Sequence, residues 1–335
     1  MARTQAYPRA IDAVLGSRRV IFGEPGSVRR PIAFLIMTVL ISWIIAPSFL
    51  TLSNISALLI GSSFLIVLAV GEAVVIMHGM IDLGVESVLA SSGMLAAWLY
   101  VFDKWPAALA MLLTILVGMA IGAIAGLLVT KARIPSFIVT LGTYWGFKGI
   151  ALLFNGGNYI SPESVQPPRE FTFLGIASQT LNISNLIIIS VVVVALAQIM
   201  MSQTPFGTWM KSVGSNEDAA RTVGLNVSRL KVSAFVISGL LAALTGIMFA
   251  TWQDSIYPSS GEGFSLQAIA GVILGGIPFT GGRGTMVGAA IGALIIGVID
   301  DLIVLLGLPA LYEYIFVAII LVIAGLQARG GPFVK

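Results

Sequence analysis

The 335-residue chain is 57% hydrophobic and only 10% charged, with a mean hydropathy of +1.00. Soluble domains carry roughly 25% charged residues, so this composition excludes a soluble enzyme, an extracellular module or a disordered regulator and calls for lipid. Zero cysteines and a single histidine exclude disulfide frameworks, thiolate zinc sites, cysteine nucleophiles and multi-histidine metal or haem centres, and a net charge of +3 is too small to suggest nucleic acid.

In chain order, residues 1–30 form a basic tail with Arg3, Arg9, Arg18, Arg19, Arg29 and Arg30 and no early apolar run, unlike a secretory signal. A weak amphipathic pattern from Ala10 to Phe22 allows a short helix on the membrane surface. A spanning helix needs about 20 mostly apolar residues. Ten stretches qualify: 31–49, 55–77, 84–102, 106–129, 135–154, 183–202, 231–250, 264–280, 285–306 and 311–326. The expected fold is all-α and polytopic. A transmembrane domain over 31–326 includes a polar loop at 203–230 and precedes a short C-terminal tail at 327–335.

With the N-terminus inside, the inside segments hold 15 of the 18 lysines and arginines, counting Lys231 at the membrane edge. That asymmetry matches the positive-inside rule and predicts an even number of crossings with both termini in the cytoplasm. Gly156, Gly157, Pro162, Pro167 and Pro168 break helices in the longest outside loop, 155–182.

The fourth span carries Gly118, Gly122 and Gly126, and the ninth begins with Gly284, Gly288 and Gly292. Small residues every four positions let helix backbones approach. Five crossings separate the two ridges, so the spans run in opposite directions, and two inverted five-helix repeats are expected. The third and eighth spans should then correspond, and both look interrupted. One opens with His78-Gly79-Met80-Ile81-Asp82-Leu83-Gly84-Val85-Glu86-Ser87. The other ends in Gly275-Gly276-Ile277-Pro278 and Thr280-Gly281-Gly282-Arg283-Gly284. Unwound backbone at membrane depth is tolerated where protein or a water-filled cavity surrounds it, and paired interruptions point to a transport pathway.

A transporter needs an energy source, and the chain has no G-x-x-x-x-G-K-[ST] phosphate loop. His78 and the scattered carboxylates do not form a catalytic set. Ion coupling would rest on buried ionisable groups, for which the candidates are Glu72, Lys148, Asp300 and Asp301. Glu72 and Lys148 could pair, as a structural pair rather than a proton relay. Asp82 and Glu86 flank the start of a broken helix, where a carboxylate caps free N–H groups and complements the helix dipole; substrate contact is the alternative.

The polar loop holds a helix signal. Asn216 is a good N-cap, Glu217 and Asp218 enrich the first turn, and Gly224 ends the helix. From these residues alone it is either a docking element or a surface helix.

The blocks Phe206-Gly207 and Gly214-x-Asn216-Glu217-x-Ala219-Ala220-Arg221-x-x-Gly224 resemble the cytoplasmic loop of ribose-type ABC sugar permeases. Further similar blocks are Ile81-Asp82-Leu83-Gly84-Val85, Pro135 to Thr143, Ser238 to Gly246, and Gly275-Gly276 through Gly281-Gly282-Arg283-Gly284. Glu86 stands where the family pattern has a small residue. The resemblance implies the membrane subunit of a bacterial inner-membrane importer, working as a homo- or heterodimer in lipid. It would be driven by a separate cytoplasmic ATPase that holds ATP and Mg, and fed by a periplasmic solute-binding protein, with no catalytic, cofactor or metal site of its own. In this reading Gly214, Asn216, Glu217, Asp218, Ala219, Ala220, Arg221 and Gly224 form the coupling element, with Ala219 and Ala220 seated in a groove of the ATPase. Asp82, Ser87, Thr140, Thr143, Tyr144, Gly281, Gly282 and Arg283 are candidates for the pathway and its broken helices. A sugar or polyol is the expected solute. Branched-chain amino acids or nucleosides are the rival solutes, and an ion-coupled carrier or a non-transporting membrane scaffold or receptor the rival classes.

Overall fold

A computed structural model of the chain describes residues 28–161, 179–180, 183–309 and 311–328. The Ala10–Phe22 stretch and most of the 155–182 loop lie outside the described residues. The helices are α1 (Arg29–Ile45), α2 (Leu52–Ile76), α3 (Val85–Val101), α4 (Ala107–Thr130), α5 (Ser136–Leu153), α6 (Asn185–Gln203), α7 (Pro205–Ser215), α8 (Glu217–Thr222), α9 (Val227–Trp252), α10 (Phe264–Leu274), α11 (Met286–Leu305) and α12 (Tyr312–Ala328). Each of the ten expected spans has its helix. Among the described residues six helices are long and apolar enough to cross a membrane, and Val85–Val101, Phe264–Leu274 and Tyr312–Val322 are shorter apolar helices. The chain is an all-α polytopic membrane protein.

Local chemistry sets the helix starts. Pro106 and Pro135 stand immediately before α4 and α5, and Pro205 is the first residue of α7, positions where a missing N–H costs nothing. The Ser184 hydroxyl accepts from Leu186 N (3.3 Å), Asn226 Oδ1 from Arg229 N (3.0 Å) and Thr285 Oγ1 from Gly288 N (3.0 Å), capping α6, α9 and α11.

α2 and α9 form the centre. Every residue of α2 from Ser62 to Ile76 is buried except Ile66, and most of α9 is buried too. Outer helices such as α1 and α5 leave large apolar side chains uncovered, among them Ile44, Trp145 and Leu153; lipid or another subunit is the medium that suits such faces.

The packing repeats. α3 contacts α4, α5 and α9, and α10 contacts α11, α12 and α2; α4 lies on α9 as α11 lies on α2. Helices α2–α5 thus correspond to α9–α12. The repeat does not extend to α1, which packs on α11, or to α6, which packs mainly on α2 and also on α11. The glycine ridges that suggested it are not equivalent. Gly118, Gly122 and Gly126 face Gly239, Phe235 and Val232 of α9, whereas Gly288 and Gly292 face Gly275 and Gly271 at α10. Each ridge serves a different neighbour, because a small-residue stripe records only that some backbone comes close.

The breaks are also placed differently from expectation. The counterpart of the irregular 77–84 segment between α2 and α3 is the 253–263 segment between α9 and α10. The expected glycine-rich stretch lies beyond α10 and links it to α11. Both α3 and α10 therefore start after a non-helical passage.

Candidate coupling and translocation site

Two constellations emerge, joined by the 77–84 passage. The first gathers the polar 203–230 loop and the glycine-rich link. Gly282 N donates to Met77 O (2.9 Å), joining the end of α2 to the link before α11. Gly281 and Gly282 have φ of +75° and +76°, a backbone region that L side chains resist. Gly214, near the end of α7, presses on the same point. A Cβ there would overlap the Met77 carbonyl oxygen and lie 2.6 Å from Gly282 N. Ser215 Oγ donates to Gly282 O (3.4 Å). Arg283 is exposed beside this junction.

α8 projects from it. Asn216 Oδ1 accepts from Ala219 N (3.0 Å), as the sequence predicts, and Gly224 closes the helix with φ +85°. Glu217 is the anchor, with Oε2 accepting from Lys231 Nζ and Oε1 from Arg221, both at 2.6 Å. Burial pushes the Glu217 carboxyl up, but its hydrogen bonds and ion pairs with Lys231 and Arg221 outweigh that and hold it below the usual carboxylate range. Ala220 does not face outward as expected. It is 3% exposed and packs into the chain's own core, while Val223 is 76% exposed. Asp218, Ala219, Arg221 and Thr222 complete the free face. A helix of six residues has one inward stripe, and spacing alone did not reveal which alanine lies on it.

The second constellation surrounds the start of α3. Asp82 accepts from Gly84 N (2.9 Å) and from Ser238 Oγ of α9 (2.8 Å), while Asp82 N donates to Glu72 Oε1 (3.1 Å). Thr140 and Thr143 of α5 close over this passage. Thr140 Oγ1 donates to Ile81 O (3.4 Å), and the Thr143 methyl group sits against Gly84. Ser87 Oγ donates to Gly84 O (2.9 Å) and reaches Thr143 O (3.4 Å). His78 is buried in the turn, with Nδ1 3.1 Å from Val74 O.

Two expectations fail here. Lys148 does not pair with Glu72; its ammonium lies 3.5 Å from Glu262, which sits in the 253–263 segment. Glu72 points instead toward the Asp82 backbone. Nor does Glu86 cap its own helix. Its Oε2 accepts from Gly263 N (3.1 Å), Ser265 N (3.2 Å) and Ser265 Oγ (2.6 Å), so it caps the first turn of α10 from across the bundle. Tyr144 lies near the same carboxylate. The N-termini of α3 and α10 thus meet through one side chain. Gly263, Ser265 and Glu262 carried no sequence signal, because the contact spans two halves of the chain.

A family model described as branched-chain amino acid transport system / permease component matches residues 54–325. The chain belongs to this permease family. The permease is 34% identical over 293 residues to a ribose import permease protein of Escherichia coli, covering 88% of this chain and 90% of that one. It is 37% identical over 299 residues to a ribose import permease protein of Bacillus subtilis, covering 89% and 92%. It is 33% identical over 293 residues to an autoinducer 2 import system permease protein of an Enterobacter species, covering 86% and 83%. No solved structure matches it.

Proposed function

We propose that the permease is the membrane subunit of a bacterial ABC importer for a sugar or sugar-like polyol. Two permease subunits form the pathway in the inner membrane, with both termini and the α7–α8 end in the cytoplasm. A separate ATPase, which holds ATP and Mg, docks on α8, and a periplasmic binding protein delivers solute to the opposite end.

The observation that carries this reading is the seating of α8. A short capped helix projects an exposed face of Ala219, Arg221 and Val223, and it is held to the membrane core by the Glu217–Lys231 pair and the Gly214–Met77–Gly282 junction. Force applied at α8 therefore reaches both repeats, the first through Met77 and the second through Gly282. The names of the relatives support import of a ribose-like solute.

The test is reconstitution of the permease in liposomes with an ATPase and a binding protein from the same gene cluster. ATP-dependent accumulation of a sugar is expected. Sugar accumulation driven by an ion gradient without the ATPase would overturn the proposal.

A further inference from the structure

The 253–263 segment, which follows α9, borders a cleft of about 310 Å³ lined by Phe249, Gln253, Tyr257, Glu262 and Phe264, among others. That volume falls at the lower end of the roughly 300–1,000 Å³ of small-molecule sites. The cleft lies at the end of the bundle away from α8, and its walls are fixed. Glu86 holds Gly263 and Ser265 by three hydrogen bonds. Ile160 and Ile256 exchange backbone hydrogen bonds (3.0 and 2.9 Å), and the rings of Tyr159 and Tyr257 are in contact, tilted by 35° with centroids 5.3 Å apart.

We propose that this cleft is a contact site for a neutral polyhydroxylated solute as it enters the permease; the inference rests on the importer reading above. The chemistry is twofold. Aromatic rings offer apolar faces for the C–H surface of such a solute, while the Gln253 amide and the Glu262 carboxylate offer a donor and acceptors for hydroxyls. The charge balance then selects against anions. Glu86, Glu262 and Glu313 all lie near Tyr314, whose ring covers Gly263. Lys148 is already committed to Glu262 at 3.5 Å. A phosphorylated sugar would meet like charge, with no cation among the described residues that line the cleft, a repulsive contribution to specificity.

The chain's lack of cysteine makes the test direct. A single cysteine at Ser259, which lines the cleft and is exposed, is introduced into the complete importer in liposomes. Its labelling by an impermeant thiol reagent is followed with a panel of neutral pentoses and hexoses, with ribose 5-phosphate, and with leucine. A cysteine at Asp103 is the control. At about ten times its Kd a bound sugar should slow labelling at position 259 by about tenfold, the occupancy factor, and leave position 103 unchanged. Ribose 5-phosphate and leucine should not protect. Tyr257→Ala should remove the protection while labelling without sugar stays the same.

Equal protection by ribose 5-phosphate or leucine, no protection by any neutral sugar, or protection that survives Tyr257→Ala would each overturn the site. ATP-driven accumulation is measured in the same liposomes. Accumulation without protection refutes the cleft alone, and protection without accumulation refutes the importer reading alone.

Discussion

Gly214→Ala is the sharpest perturbation of the junction between α7, the end of α2 and the Gly282 link. The added Cβ would overlap the Met77 carbonyl oxygen and lie 2.6 Å from Gly282 N and 2.9 Å from the Met77 carbonyl carbon. All three are backbone atoms, so no flexible side chain can swing aside. Either α7 withdraws or the Gly282–Met77 hydrogen bond opens. Overpacking of this kind costs about 1–3 kcal/mol, and loss of the hydrogen bond about 1 kcal/mol. Helix propensity favours Ala over Gly by about 1 kcal/mol, so the expected net loss is about 1–3 kcal/mol. The assay pairs thermal unfolding of the detergent-solubilised permease with solute-stimulated ATPase activity of the full importer. Gly61→Ala is the control, because nothing lies within 4 Å of a Cβ placed there. Gly214→Ala should melt lower than wild type and uncouple hydrolysis from uptake, and Gly61→Ala should do neither. A Gly214→Ala protein that melts with the control and transports normally would show that the junction neither packs tightly nor transmits anything.

Other substitutions separate the remaining roles. Val223→Asp places a charge on the free face of α8 and should abolish ATPase co-purification without altering the melt of the permease alone. Ala220→Trp fills a site buried within the chain and should lower the melt itself, whether or not the ATPase is present. Glu86→Ala leaves the half-buried Gly263 N and the buried Ser265 N without their acceptor, the buried donor alone costing about 1–3 kcal/mol, and should lower the melt more than Glu86→Gln, which keeps an acceptor oxygen. Glu217 is held below its ordinary range, so its contribution is complete above the unfolded value of about 4.3 and is lost as pH falls through the lower folded value. The difference in melting temperature between wild type and Glu217→Gln should therefore be constant from pH 5 to 8 and shrink only in stronger acid.

How much was legible depended on whether the signal was local. Span positions follow from runs of apolar residues, and the Asn216 cap follows from a side chain that bonds three residues ahead; both were readable. The repeat was readable for an indirect reason. The glycine ridges that suggested it contact unrelated neighbours, and the correspondence lies in which helix packs on which. The Lys148–Glu262 pair and the Glu86 cap on α10 join residues 114 and 177 or more positions apart, and nothing in the flanking sequence specifies such pairings. The partner that Glu72 and Lys148 seemed to offer each other was a matter of composition, since an apolar chain contains few charges to pair.

The two constellations are joined by the chain itself. Ser215 and Gly214 hold Gly282 and Met77, and Met77 begins the same passage that rises to Asp82 and Glu86. Asp82 is fastened to α9 by Ser238, and Glu86 to α10 by Ser265. α3 is thus tied at its start to α9 and α10 of the opposite repeat, while the passage leading into it is tied at its beginning to α7. A shift of α7 relative to α2 has two outlets. It can strain the 77–84 passage, or it can carry α3 and with it the wall of the cleft beside Gly263. Packed cores respond to such shifts in discrete steps rather than by continuous bending, and the polar ties at Asp82 and Glu86 are where a step would have to occur. Spatial continuity alone does not establish coupling. A double-mutant cycle between Gly214→Ala and Glu86→Gln, read out as solute-stimulated ATPase, supplies the energetic measure. Strictly additive effects would mean that the two constellations work independently.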